Sequence, residues 1–76
     1  MSTSDELKSL GNKAFAAGSH EEAINHFTKA IEIDPTNHVL YSNRSASLAS
    51  LKRYAEALKD AEKTVEIKPW PRTRRV

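Results

Sequence analysis

A chain of 76 residues with 38% hydrophobic and 29% charged side chains reads as one small folded domain with a thin core, since chains near this size bury only about 60% of their unfolded surface. The absence of cysteine and the presence of only two glycines exclude a disulfide framework, a thiol nucleophile and a Gly-rich phosphate loop. The net charge of +2 resides at one end: residues 1–68 carry nine Lys/Arg against ten Asp/Glu, and Arg72, Arg74 and Arg75 follow, which is not the basic stripe of a nucleic-acid module.

The opening Met1-Ser2-Thr3-Ser4-Asp5-Glu6 is polar and then acidic, the reverse of a secretory signal. No apolar run approaches the roughly 18 residues of a membrane span. A cytoplasmic protein without membrane association is expected. A first helix is expected over 4–17. Thr3 and Glu6 form a capping box at its start, Leu7, Leu10, Ala14 and Ala17 form its apolar stripe, and Gly18 supplies the left-handed residue that ends it. Ser19 with Glu22 offers a second capping box for a helix over 20–33, whose stripe is Ala23, Ile24, Phe27, Ala30 and Ile31. Pro35 stops that helix, and Thr36-Asn37 can cap a third over 38–51, striped by Tyr41, Leu48 and Leu51. Lys52-Arg53 makes a turn without a strong breaker before a fourth helix over 54–67, with Ala57, Leu58, Ala61 and Val65 as its stripe and Pro69 as its stop. No stretch alternates with period two, so the fold class is all-α.

The second helix pair repeats the first. Glu22, Ala23, Lys29, Glu32, Ile33 and Pro35 meet identical residues at Glu56, Ala57, Lys63, Glu66, Ile67 and Pro69 under one constant shift, six identities in 14 aligned positions. That shift is the helix–turn–helix period of about 34 residues that marks the tetratricopeptide repeat. The expectation is a two-repeat module over 1–69, with repeats at about 4–37 and 38–69, and a basic tail at 70–76. In the second repeat Arg44-Ser45 stands where the first has Leu10-Gly11.

Catalytic constellations are absent from the sequence. His20-Glu21-Glu22-Ala23 is not a zinc-protease motif, the three histidines are spaced badly for one helix face, and no serine sits in a Gly-x-Ser-x-Gly elbow. An enzyme is not expected, nor is any cofactor or metal. Asn12 and Asn43 stand out instead, because asparagine is several tenths of a kcal/mol worse than alanine inside a helix. Lys8 and Asn12 are four apart and project from one face, and Asn43 lies in the equivalent helix of the next pair. One ammonium and two amides on a concave surface can hold a carboxylate, although solvent-facing polar residues would show the same spacing.

The runs Leu10–Phe15, Ala23–Ile31 and Asn37–Ala46 resemble the first tetratricopeptide domain of the Hop/Sti family, the stress-inducible co-chaperones that organise the heat-shock-70 and heat-shock-90 chaperones. The resemblance runs from residue 4 to about 70. It implies a non-enzymatic module whose groove holds the acidic Glu-Glu-Val-Asp tail of a chaperone, the heat-shock-70 class ahead of the heat-shock-90 class, in a carboxylate clamp. Lys8, Asn12 and Asn43 match clamp positions, Arg72 falls at a further one, and Phe15, Ala46 and Ala49 would lie along the groove. The sequence departs from that family after Lys68-Pro69, where Trp70-Pro71 follows one residue early and Val76 occupies the place of a clamp arginine. A truncated third repeat would leave the clamp incomplete. It would also bare an outward stripe of the fourth helix, including Ala57, Ala61 and Val65. The alternative expectation is therefore a fragment that mainly self-associates or swaps a helix pair.

Overall fold

The computed structural model describes residues 3–67 and places four α-helices in chain order: α1 (Ser4–Ala16), α2 (His20–Ile33), α3 (His38–Ser50) and α4 (Tyr54–Ile67). Among the described residues no strand occurs. α1 packs on α2 and α3 on α4, and α2 meets α3 between the pairs. This is the stacked helix–turn–helix arrangement that the repeat period anticipates. Two helices end one residue earlier than expected, at Ala16 and Ser50, because Ala17 and Leu51 act as their C-caps. The expected stop at Pro69, the tail over 70–76 and Arg72 lie outside the described residues.

The Thr3 capping box is present, with Glu6 N donating to Thr3 Oγ1 at 3.2 Å and Thr3 N donating to Glu6 Oε1 at 2.9 Å. The expected box at Ser19 is not formed, since the Ser19 side chain makes no cap hydrogen bond. Its backbone explains this. Gly18 sits at φ +83°, so Gly18 N reaches Phe15 O at 3.0 Å and Ser19 N reaches Ala14 O at 2.8 Å, the paired bonds of a Schellman motif. Ser19 is thereby held at φ −89°, ψ 69°, away from the extended geometry from which an N-cap hydroxyl reaches forward. Asn37 does cap α3, accepting from Val39 N at 3.0 Å.

The turn without a breaker copies the first turn. Lys52 N donates to Ala49 O and Arg53 N to Leu48 O, each at 2.9 Å, in the same Schellman pattern one repeat later. The left-handed position is occupied by Lys52 at φ +63°, where a Cβ is unfavourable. Lys52→Gly is expected to stabilise the chain by about 0.5–1 kcal/mol, read as a higher urea midpoint at unchanged slope.

The core joins Leu7 and Ala14 of α1, Ala23, Phe27 and Ala30 of α2, and Leu40 of α3, with Ile31 packed against it. Gly11 is the reason α1 and α2 approach so closely: a Cβ there would lie 2.5 Å from Phe27 Cε1. Three expected stripes need correction. On α1, Leu10 is 44% exposed and Ala17 is exposed, and the buried line is Leu7, Gly11 and Ala14. On α3, Leu40 and Ser47 are buried beside Tyr41 and Leu48, while Leu51 is only half-buried. On α4, Ala57 turns inward, and Ala61 and Val65 are exposed with Tyr54 and Leu58. The outward stripe therefore runs through Tyr54 and Leu58 rather than through Ala57.

Arg44 and Ser45 give the second pair a polar lock where the first has Leu10 and Gly11. Arg44 donates from Nε to Asp60 Oδ2 at 2.7 Å and from Nη2 to Asp60 Oδ1 at 2.8 Å, a two-point pair across α3 and α4. Its Nη1 donates to Thr28 Oγ1 of α2 at 3.2 Å, and Ser45 Oγ donates to Ala57 O of α4 at 2.8 Å. Arg44 thus ties three helices together.

Candidate functional site

α1 and α3 are the first helices of their pairs, and their side-by-side placement brings Asn12 and Asn43 together. Asn43 Nδ2 lies 3.4 Å from Asn12 Oδ1, longer than the usual 2.7–3.2 Å of such bonds. The two amides are neighbours without being locked, and among the described residues Asn12 Nδ2 has no acceptor. They edge a shallow groove of about 190 Å3, completed by Phe15, Phe27 and Ala46. Phe15, 37% exposed, forms an apolar wall and is held edge-on by the His20 ring at 4.9 Å between centroids. The Phe27 ring, wedged against Gly11, forms the base.

Lys8 is half-buried and one turn before Asn12 on the same face of α1. It makes no ion pair among the described residues, so its ammonium is available to an incoming anion. Lys8 and Ala49 do not line the groove itself, and Ala49 is half-buried on α3. The geometry thus gathers Asn12, Asn43, Phe15 and Ala46 in one place, with Lys8 adjacent to them. Arg72 lies outside the described residues. Phe27 is the groove residue that sequence reasoning assigned only to helix packing. Its signal was Gly11, whose missing side chain lets the ring come through to the concave side.

A second cleft of about 340 Å3 lies between α2, α3 and α4, lined in part by Ile24, Thr28, Leu48 and Lys59 around the Arg44–Asp60 pair. At its centre Arg44 is paired with Asp60 and Thr28, and the hydrogen bond from Arg44 to Asp60 raises the Arg44 pKa against the opposing effect of burial. Among the described residues no group of three His, Asp or Glu side chains comes together in a way that could hold a metal ion. No described helix is long and apolar enough to cross a membrane.

The tetratricopeptide-repeat profile matches residues 4–37, and a second tetratricopeptide-repeat profile matches residues 26–59. The chain belongs to the tetratricopeptide-repeat family. Among curated relatives, it is 66% identical over 65 residues to the "Hsp70-Hsp90 organizing protein" of Triticum aestivum and 63% identical over 65 residues to "Hsp70-Hsp90 organizing protein 2" of Arabidopsis thaliana. It is 57% identical over 65 residues to the "Heat shock protein sti1 homolog" of Schizosaccharomyces pombe. Each alignment covers 86% of this chain and 11% of the relative's length. The tetratricopeptide-repeat module is thus similar to a small part of each of these proteins. The resemblance drawn from Leu10–Phe15, Ala23–Ile31 and Asn37–Ala46 therefore extends to relatives named as organisers of two heat-shock chaperones.

Proposed function

We propose that this chain is a non-enzymatic co-chaperone module that holds the acidic C-terminal tail of a heat-shock chaperone in the groove between α1 and α3. The observation that carries the reading is the pair of amides, Asn12 and Asn43, meeting at 3.4 Å from two different repeats on the edge of an apolar groove. A terminal carboxylate can take hydrogens from both amide nitrogens, displacing the long bond between them. The Lys8 ammonium supplies the full positive charge one helical turn away. Phe15, Ala46 and Phe27 then offer apolar contact to a side chain such as the valine of Glu-Glu-Val-Asp, with Ala49 further along α3. Arg72 would add a second cation. The heat-shock-70 class of chaperone is preferred to the heat-shock-90 class, on the resemblance to the first tetratricopeptide domain of the organiser family.

The test is titration with a Glu-Glu-Val-Asp peptide followed by calorimetry. Asn43→Ala is expected to weaken binding about tenfold, the worth of one hydrogen bond to a charged group, while helicity is kept and melting does not fall, because the side chain is not part of the core and alanine is the better helix former. Lys8→Ala is expected to weaken binding similarly and to flatten its salt dependence. Affinities unmoved by either substitution would remove the groove from consideration.

A further inference from the structure

His20 is the first residue of α2, and its ring is set across the Phe15 ring at 4.9 Å between centroids and 67° between planes. That placement carries a cost. His20 Nδ1 is buried and has no hydrogen-bond partner among the described residues, although a polar atom withdrawn from water normally finds one. The aromatic contact with Phe15 offsets the loss.

The second repeat shows what the same turn does without that ring. In the register of the repeat, Phe15 and His20 correspond to Ala49 and Tyr54. The two turns are bonded alike, Phe15 O and Ala49 O each accepting from the left-handed residue, so α2 and α4 begin from equivalent places. Tyr54, with alanine where the first repeat has Phe15, stands 63% exposed. His20 is half-buried. The turn alone does not fold the side chain down; the ring at position 15 does.

We propose that His20 is a positioning residue of the groove, bracing Phe15 and thereby setting how strongly the site selects the apolar side chain of its peptide. The inference rests on the peptide-holding reading of the groove between α1 and α3. Phe15 is 37% exposed, and a ring that free of its neighbours can turn between staggered positions. It lines the groove with Phe27 and Ala46, and the wall is ready for a peptide only while the ring stays there. With His20 packed on it, the ring is ordered before the peptide arrives, so less freedom is lost on binding. In the same reading the terminal carboxylate goes to Asn12, Asn43 and Lys8. His20 therefore acts on the choice of side chain and leaves charge recognition alone.

Calorimetric titration of the 76-residue chain with Glu-Glu-Val-Asp and Glu-Glu-Ala-Asp tests this. The parent chain is expected to prefer the valine peptide about fivefold, the worth of two methyl groups partly removed from water. His20→Ala is expected to cut that preference about threefold and to leave the affinity for the alanine peptide within about twofold. His20→Phe keeps a ring and removes the unpaired nitrogen, so it is expected to restore the preference and to raise the urea midpoint. Tyr54→Ala, the same position one repeat later, is expected to leave the preference as it is. A further readout needs no peptide: the Phe15 ring-proton resonances are expected to move toward those of a solvated phenylalanine in His20→Ala, with helicity kept. Unchanged Phe15 resonances overturn the proposal, as does a valine preference that survives His20→Ala. An equal loss in Tyr54→Ala overturns it too, because the effect would then belong to any helix start. A parent chain that binds neither peptide overturns the groove reading itself, a result distinct from binding whose selectivity ignores His20.

Discussion

Asp60→Ala is expected to destabilise the fold by about 2–3 kcal/mol, measured by urea unfolding, which is somewhat below the cost of breaking a fully buried ion pair. The carboxylate is nearly buried, at 8% exposure, and accepts both Arg44 bonds at 2.7 and 2.8 Å. Its loss leaves the guanidinium with Thr28 and the Tyr41 ring, 5.7 Å from its centroid. Breaking a fully buried pair costs about 3–5 kcal/mol. The 22% exposure of the Arg44 side chain lets water recover part of that. The double substitution Arg44→Leu/Asp60→Leu is expected to recover most of the stability, because it replaces the lock by the apolar contact that such pairs can be exchanged for at little cost. A double variant as unstable as Asp60→Ala would show that the polar contacts to Thr28 and α4 are worth more than their desolvation. The raised Arg44 pKa means that the guanidinium stays charged: its contribution to the lock is lost only in strongly alkaline solution.

Phe27→Ala is expected to be more damaging still, at about 3–5 kcal/mol, a large share of the roughly 5–15 kcal/mol typical of a whole domain. Phe27 is 1% exposed, is the largest side chain of the core and is also the groove's base. Its removal would lower the melting temperature steeply and widen the groove. The complementary change, Gly11→Ala, sets a Cβ 2.5 Å from the same ring and forces the ring to move, which costs about 1–3 kcal/mol. Calorimetric melting of both variants checks the wedge. A Gly11→Ala protein as stable as the parent would mean that α1 and α2 can separate freely.

The architecture was legible because repetition amplifies weak local signals. Helix stripes, the Thr3 box, Gly18 and the phase of the repeat all point to one arrangement, and the helices are observed within one residue of their expected ends. Failures occurred where two local rules compete for one residue. Ser19 looks like an N-cap but its amide is taken by the Schellman turn. Lys52 gives no turn signal, yet the second turn copies the first and forces a lysine into the left-handed region. Periodicity alone also misassigned faces, since α1 buries Gly11 rather than Leu10. An apolar stripe cannot register that the smallest residue marks the closest approach.

The candidate site was legible to a similar degree. Asn12 and Asn43 are costly in helices, and, distant in the chain, they become neighbours only because the pairs stack in phase. Phe15 and Ala46 fall beside them for the same reason. Phe27 was missed as a groove residue because its access to that side depends on Gly11, a tertiary relation. The Arg44–Asp60 lock was missed too. An acid three positions after Ala57 on the inward face of α4 and an arginine in the place of Leu10 were its two halves, and neither is informative without the other.

The central claim is that this groove reads a free terminal carboxylate, and it is tested most directly by comparing two peptides. Calorimetric titration with Glu-Glu-Val-Asp ending in a carboxylate should give binding that follows Asn12 and Asn43. The same peptide with its C-terminus amidated, which removes the terminal charge and leaves the side chains, should bind at least tenfold more weakly. Equal affinity for the two peptides would contradict the account, because the amides and Lys8 would then have no terminal carboxylate to recognise.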